Sequence, residues 1–284
     1  MKILLNRKEA IGDVILTTGL VKKLSIENQA KVDVCTARPE VYANNPYVGT
    51  VFTALPDVAI YDKYFNLDLV YENNPGCHVL DAYSGSVFGT RASDIKPELF
   101  PDTADLEYVK NLGLTGKYIV LHMRNHFWPS RNIDPAMWIA FAKQLLSDTD
   151  CTVVQVGAGN DLAFSREGEP RLVNLKDRLS IHQTHALIDG AEVFVGADAG
   201  PLHIAACTET PVVALYTSVR AEYREPKFRS ASAPHISIAS NIDCYGCVEQ
   251  CPAPYTQYYC GRGDEECTRR FDSNNVFDQV KNFL

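Results

Sequence analysis

The sequence predicts an α/β protein with parallel sheets in two domains, on three observations. Residues 193–216 read as an apolar strand, a turn through Asp198, Ala199, Gly200 and Pro201, an apolar helix, a Thr210-Pro211 break and a second apolar strand. Such a strand–helix–strand unit belongs to a parallel sheet, because only a crossover brings the chain back to the starting edge. The same alternation recurs on both sides of a break at Lys96, Pro97, Pro101 and Asp102, and 284 residues suffice for two cores.

Composition narrows the function. Hydrophobic residues make up 46% and charged residues 22%, ordinary for a globular chain. The formal net charge is −8, so no general attraction to nucleic acid or anionic lipid is expected. No apolar run approaches the ~18 residues of a membrane span, and the opening run Ile3 to Leu5 is too short for a signal peptide. The chain is therefore read as cytoplasmic. In that reducing setting its nine cysteines are not expected to form a disulfide framework.

The N-terminal domain is expected over 1–106, with the boundary near 100–116. Residues 2–6 read as a first strand, and 13–24 as a helix with Val14, Leu16, Leu20, Val21 and Leu24 apolar. Gly12 and Asp13 then stand at the first strand-to-helix junction, where free amides can receive an anion and Asp13 can serve as a cap or as a base. Further strands are expected over 32–36, 48–55 and 67–71, with helices over 39–44 and 79–88. His78 and Asp81 follow the last of these strands, either lining a cleft or starting the helix. A short helix over 105–112 leads to the second domain, 117–284.

There, 118–123 reads as the first strand, followed by a loop reaching Arg131 and a helix over 135–146 with Trp138, Phe141, Ala142 and Leu145 on one face. The next strand, 152–156, ends in a loop containing Gly157 and Gly159, too short for a dinucleotide fingerprint. A strand over 172–175 and a helix over 181–190, capped by Ser180, complete the approach, with His182, Gln183 and His185 read as surface residues. Ligands on parallel sheets sit at the carboxyl ends of the strands, which puts Asp198 and His203 at a site-forming edge. Pro201 suits the first helical turn, and the amides beside Gly200 suit an anion. The last helix, 275–284, could return to the first domain or pack on its own.

Cys244-x2-Cys247-x3-Cys251-x8-Cys260-x6-Cys267 is a dense array of soft ligands. Four thiolates suit tetrahedral zinc or iron. The preferred set is Cys244, Cys247, Cys260 and Cys267, with Cys251 to spare. The alternative is reduced thiols in a loop, or disulfides formed on purification.

Two stretches resemble one family. GADAGPLHIAACTETPVVALY, from Gly196, is similar to the C-terminal signature of glycosyltransferase family 9, the heptosyltransferases, and KILLNRKEAIGDVILTTGLVKKL is similar to the family's opening. Ala199 stands where the family has Ser or Thr, and Gly19 where it has Pro. The resemblance implies the GT-B architecture, two Rossmann-like domains facing across a cleft, with the acceptor held by the first and a nucleotide-sugar donor by the second. It implies Asp13 as the general base of an inverting transfer, of a heptose from an ADP-heptose-type donor to a saccharide or protein hydroxyl. Arg131, Gly157, Thr217, Ser218 and the turn Asp198, Gly200, Pro201, His203 would hold the donor with Gly12. No divalent cation is required for departure of the leaving group, and homo-oligomerisation stays open. The family's setting is lipopolysaccharide biosynthesis, although a compact first domain argues against a large lipid-linked acceptor. The cysteine segment is similar to that of bacterial autotransporter heptosyltransferases, in which the bound iron is structural. Competing readings keep the fold with a UDP-, GDP- or CMP-sugar donor, or make the chain a non-catalytic nucleotide-binding scaffold.

Overall fold

The computed structural model describes residues 1–229, 232–250 and 260–284. The chain enters through β1 (Ile3–Asn6), α1 (Ile11–Asn28), β2 (Val32–Cys35), β3 (Val48–Phe52), β4 (Lys63–Asn66), α2 (Val79–Phe88) and α3 (Thr103–Lys110). The four strands form an all-parallel sheet in the order β3-β2-β1-β4. A second parallel sheet follows, from β5 (Tyr118–His122), α4 (Pro135–Asp148), β6 (Thr152–Val156), β7 (Leu172–Asn174), α5 (Ile181–Asp189), β8 (Val193–Ala197), α6 (Gly200–Ala205), β9 (Val212–Tyr216) and β10 (His235–Ala239). Its order is β10-β9-β8-β5-β6-β7, and α7 (Ser273–Lys281) closes the chain. Both sheets reverse strand order beside their first strand, so each has a switch point at its carboxyl edge, where doubly wound folds bind ligands. The architecture is GT-B, two Rossmann-like domains.

Burial follows from strand alternation. In the second sheet Ile119, Leu121, Val193, Val195, Val213 and Leu215 point to the core under α4 and α7. Val120, Phe194, Val212 and Ala214 point the other way, into a core continuous with α1 and the first sheet. Helix α7 therefore packs on its own domain. Its contacts are with α4 and β9.

Several expected elements shift. The fourth strand is Lys63–Asn66 rather than 67–71. It is an edge strand with one open face, so it reads as polar, while the apolar residues after it form a turn that is folded onto the core. Leu67 is fully buried there, its amide bonded to Asn6 O at 2.8 Å, and Leu69 takes a left-handed φ of 60°. Helix α1 begins two residues before its expected start, so Asp13 lies inside its first turn and is not its cap. β10 was not anticipated: His-Ile-Ser-Ile-Ala is a short half-buried edge. His182 and His185 are buried rather than on the surface, 5% and 9% exposed. Among the described residues no helix is long and apolar enough to cross a membrane.

Candidate active site

The first sheet supplies an acidic centre. Arg7, at the carboxyl end of β1, is 6% exposed and lies against the rings of Tyr71 and Tyr83, 5.4 and 5.8 Å from their centroids. Its Nη2 bonds Asp13 Oδ2 at 2.5 Å and Glu72 Oε1 at 3.1 Å. Burial opposes the guanidinium's charge, but Asp13, Tyr83 and Glu72 outweigh it and raise the pKa. Tyr71 donates its hydroxyl to Asp13 Oδ2 at 3.3 Å. Burial first, and then the Asp13 charge, push that phenol well up, so it stays a neutral donor. Asp13 is thus a carboxylate oriented from two sides, by a fixed cation and a phenol.

The second sheet supplies cations around one buried carboxylate. Asp198 follows β8 and is 5% exposed, with Oδ2 on Arg131 Nη2 at 2.5 Å and Oδ1 without a hydrogen-bond partner. Burial penalises its charge, yet Arg131, Arg224, His203 and Arg124 hold its pKa below the usual carboxylate range. Arg131 also donates to Asp198 O and stacks over Trp128, 4.7 Å from the ring centroid. Arg124, just past β5, is brought down to about 10 by burial and by the charge of Arg131. Two guanidiniums therefore converge on the carboxyl edge of the sheet, and each has a buried Nε–H with no acceptor.

The two edges meet with almost no space between them. A Cβ on Gly12 would lie 2.4 Å from His203 Cδ2, and a Cβ on Gly200 would lie 2.6 Å from Ile11 Cγ2. Each segment thus places a glycine where the other presses a side chain. His203 is buried, which lowers its pKa even though Asp198 and Asp13 both act to raise it. One imidazole therefore feels both carboxylates.

The other expected residues fall around this centre. Pro201 opens α6. Thr217 follows β9 and is buried; Ser218 turns its hydroxyl to Ser130 Oγ at 3.2 Å. Gly157 has φ 146° and lies under Asp161, whose side chain leaves no room for a Cβ. Asp161 ties the loop after β6 to the end of β5 and the loop after it, accepting from the amides of Asn125 and Ala158 and lying 3.1 Å from His122 Nε2. Burial works against its charge, but His122 and those amides bring it down to about 2. Arg7, Tyr71, Glu72 and Arg124 were not anticipated; Arg7 alone carried a signal, an arginine six residues before Asp13 in the stretch with family likeness. His78 caps α2 through Nδ1 and reaches across to Glu225 O through Nε2, 2.9 Å away, and Asp81 pairs with Lys227 at 3.0 Å. Arg224 lies over the Tyr71 ring at 4.9 Å, while Arg220 pairs with Glu222 at 3.2 Å.

Cysteines gather beside the loop that carries Ser130 and Arg131. Burial, then the charges of Cys247, Cys260 and Cys244, push the Cys267 thiol up to about 12. Cys260 is drawn down by amides of the 262–265 turn, against its desolvation. Cys244 Sγ lies 4.0 Å from Arg262 Nη1, and Cys267 Sγ lies 3.6 Å from Ser130 O. Three sulfurs whose charges push up the Cys267 thiol suit, together with it, a soft cation, which would relieve that repulsion. Among the described residues, however, no three potential ligands meet in metal-holding geometry. Cys251 lies outside the described residues.

A family model described as glycosyltransferase family 9 (heptosyltransferase) matches residues 86–254, more than half of the chain. The chain belongs to that family. It is a glycosyltransferase. Among solved structures it is similar to the family 9 glycosyltransferase of Veillonella parvula DSM 2008, with a TM-score of 0.74 and 13% identity, over 99% of this chain and 96% of that one. It is also similar to E. coli ADP-heptose lps heptosyltransferase II, with a TM-score of 0.73 and 16% identity, over 100% and 98%. A third is the iron-containing dodecameric glycosyltransferase TibC from enterotoxigenic E. coli H10407, with a TM-score of 0.74 and 13% identity, over 99% and 80%. These three are likenesses of fold. A comparison with curated protein sequences gives no match.

Proposed function

We propose that this glycosyltransferase transfers a sugar, a heptose from an ADP-heptose-type donor, to an acceptor hydroxyl with inversion. The observation that supports the reading is the close approach of Gly12 to His203, an imidazole on which the charges of both Asp13 and Asp198 act. An acceptor bound on the first domain presents its hydroxyl to Asp13. As that oxygen bonds to the anomeric carbon, the bond to the donor diphosphate breaks and the hydroxyl proton passes to the Asp13 carboxylate. Arg7 and Tyr71 fix the orientation of that carboxylate. The leaving diphosphate gains negative charge, which Arg131 and Arg124 are placed to meet, together with Thr217, Ser218 and the amides near Gly157 and Gly200. Asp198 Oδ1, buried and unpartnered, suits a hydroxyl of the donor sugar. No step requires a divalent cation.

The donor assignment takes support from E. coli ADP-heptose lps heptosyltransferase II and from TibC, which is described in complex with ADP-D-beta-D-heptose. Asp13→Ala should keep the fold, because Glu72 still pairs with Arg7, while turnover falls by roughly a hundredfold or more. Turnover within a few-fold of wild type would remove Asp13 as the base. Thermal shifts with ADP, UDP, GDP and CMP test the donor. A ligand at a hundred times its Kd stabilises by about 2.7 kcal/mol, so ADP should stand apart.

We also infer a structural metal, iron or zinc, held by Cys244, Cys247, Cys260 and Cys267. TibC is an iron-containing relative in fold, and the repulsion that Cys244, Cys247 and Cys260 exert on the Cys267 thiol supports the same use. When bound, the metal would supply cross-linking and no chemistry. Metal analysis of anaerobically purified protein should give close to one equivalent, and less than a tenth of an equivalent would end the inference.

A further inference from the structure

We propose that a cavity of about 530 Å3 at the carboxyl end of β4 is a recognition subsite for a neutral sugar ring of the acceptor. The proposal rests on the reading of Asp13 as the base, and it chooses a saccharide over a protein hydroxyl as acceptor. Its volume is within the range of small-ligand sites, about 300–1,000 Å3. It opens at the edge of the first sheet where ligands of doubly wound folds collect, beside the reversal of strand order between β1 and β4.

One segment, 68–74, joins the cavity to the reacting centre. Leu69, Val70, Asn73 and Asn74 line the cavity, while Tyr71 and Glu72 turn the other way, to Asp13 and Arg7. A ring in the cavity therefore shares a wall with the base. The chemistry of that wall fits a sugar. Leu69 is half exposed and offers an apolar surface for a C–H face, and the Asn73 and Asn74 amides can donate to and accept from hydroxyls. The charges are unfavourable to polyanions. Asp68 and Asp81 line it with one lining cation, Arg91, and Asp81 is also paired with Lys227, which lies outside the wall. Both oxygens of each carboxylate are already engaged, those of Asp68 by Asn6 and the Lys8 amide and those of Asp81 by Lys227 and the Ala92 amide. With Asp81 neutralised by Lys227 and Asp68 set against Arg91, the wall has no net positive charge to attract a phosphorylated ligand.

The test uses the whole chain, with saturation-transfer NMR against methyl hexopyranosides, the matching hexose 6-phosphates and a serine-containing peptide. Gly85 lines the cavity on α2, and a Cβ there meets nothing within 4 Å. Gly85→Phe thus fills the space without a clash and without loss of helix propensity. The expected result is transfer to the methyl hexopyranosides, weaker by about tenfold or more in Gly85→Phe and by several-fold in Asn73→Ala, with the ADP thermal shift equal in all three proteins. No transfer, transfer unchanged in both variants, or a stronger signal from the phosphates or the peptide would overturn the subsite. Sugar binding that both variants weaken, in a protein that ADP fails to shift, would support the subsite and count against the donor reading alone.

Discussion

At the scale of single residues, the crevice depends on two missing methyl groups. Gly12→Ala would put a Cβ 2.4 Å from His203 Cδ2, and overpacking of this kind costs about 1–3 kcal/mol. Chemical denaturation should register that loss. Gly12→Ala combined with His203→Ala should recover most of it, because the second substitution removes the ring that the first one meets. A double variant as unstable as the sum of the singles would show that the contact is not the cause. These glycines were legible in the sequence as parts of two motifs, but their partnership was not. Nothing in a chain read in order tells that residue 12 needs space because of residue 203. Glu72 escaped for a related reason: a Glu in a polar turn gives no sign that it shares a buried guanidinium with a residue 59 positions away. Arg131 and Asp198 were both singled out, yet as separate ligand contacts. The structure ties them together at 2.5 Å, so each orients the other when no donor is bound.

At the scale of elements, α2 carries a titratable cap. His78 accepts the Leu80 amide at Nδ1 and so donates from Nε2 to Glu225 O, an arrangement that only the neutral ring can make. Burial lowers its pKa to about 3, with Lys227 adding to the effect. The unfolded chain takes up a proton near pH 6.5 and the folded one does not until about pH 3, so the unfolded state binds more protons in between. Stability is therefore whole above about pH 6.5 and declines as the pH falls, by up to about 1.4 kcal/mol per unit from this residue. His78→Asn keeps a capping acceptor and cannot titrate. Unfolding free energies at pH 7 and pH 5 should differ less in the variant than in wild type; equal differences would refute the assignment. Long elements with clear periodicity, such as α2 and β6, were readable from the sequence, whereas β4 and β10 were not. An edge strand buries one side only, so its apolar signal is half that of a central strand. A tightly packed turn such as 67–71 can outbid it.

At the scale of the whole molecule, the cysteine segment braces the loops after β5 and β9 of the second sheet. Cys267 reaches Ser130 O, Thr268 O accepts the Asp134 amide at 3.1 Å, and Ser218 O accepts the Val248 amide at 3.3 Å. The loop carrying Arg131 is thereby held on both flanks. Stripping the proposed metal should weaken nucleotide binding as well as stability, and calorimetry before and after chelation measures it; unchanged affinity would confine such a metal to the fold's periphery. Two parallel sheets were legible from the rhythm of the chain, but the distribution of ties between them was not. His78 reaches Glu225 O, Lys227 pairs with Asp81, His182 reaches Glu40 O, and Lys96 pairs with Glu209. Every one of these fastenings spans the two halves, and none touches the groups placed at the reaction. To let a spent nucleotide out, the halves must part against all of them at once, a collective motion that drags solvent with it. Turnover should therefore slow as glycerol or sucrose thickens the medium, while the Asp13→Ala protein, limited by its chemistry, should be indifferent to viscosity.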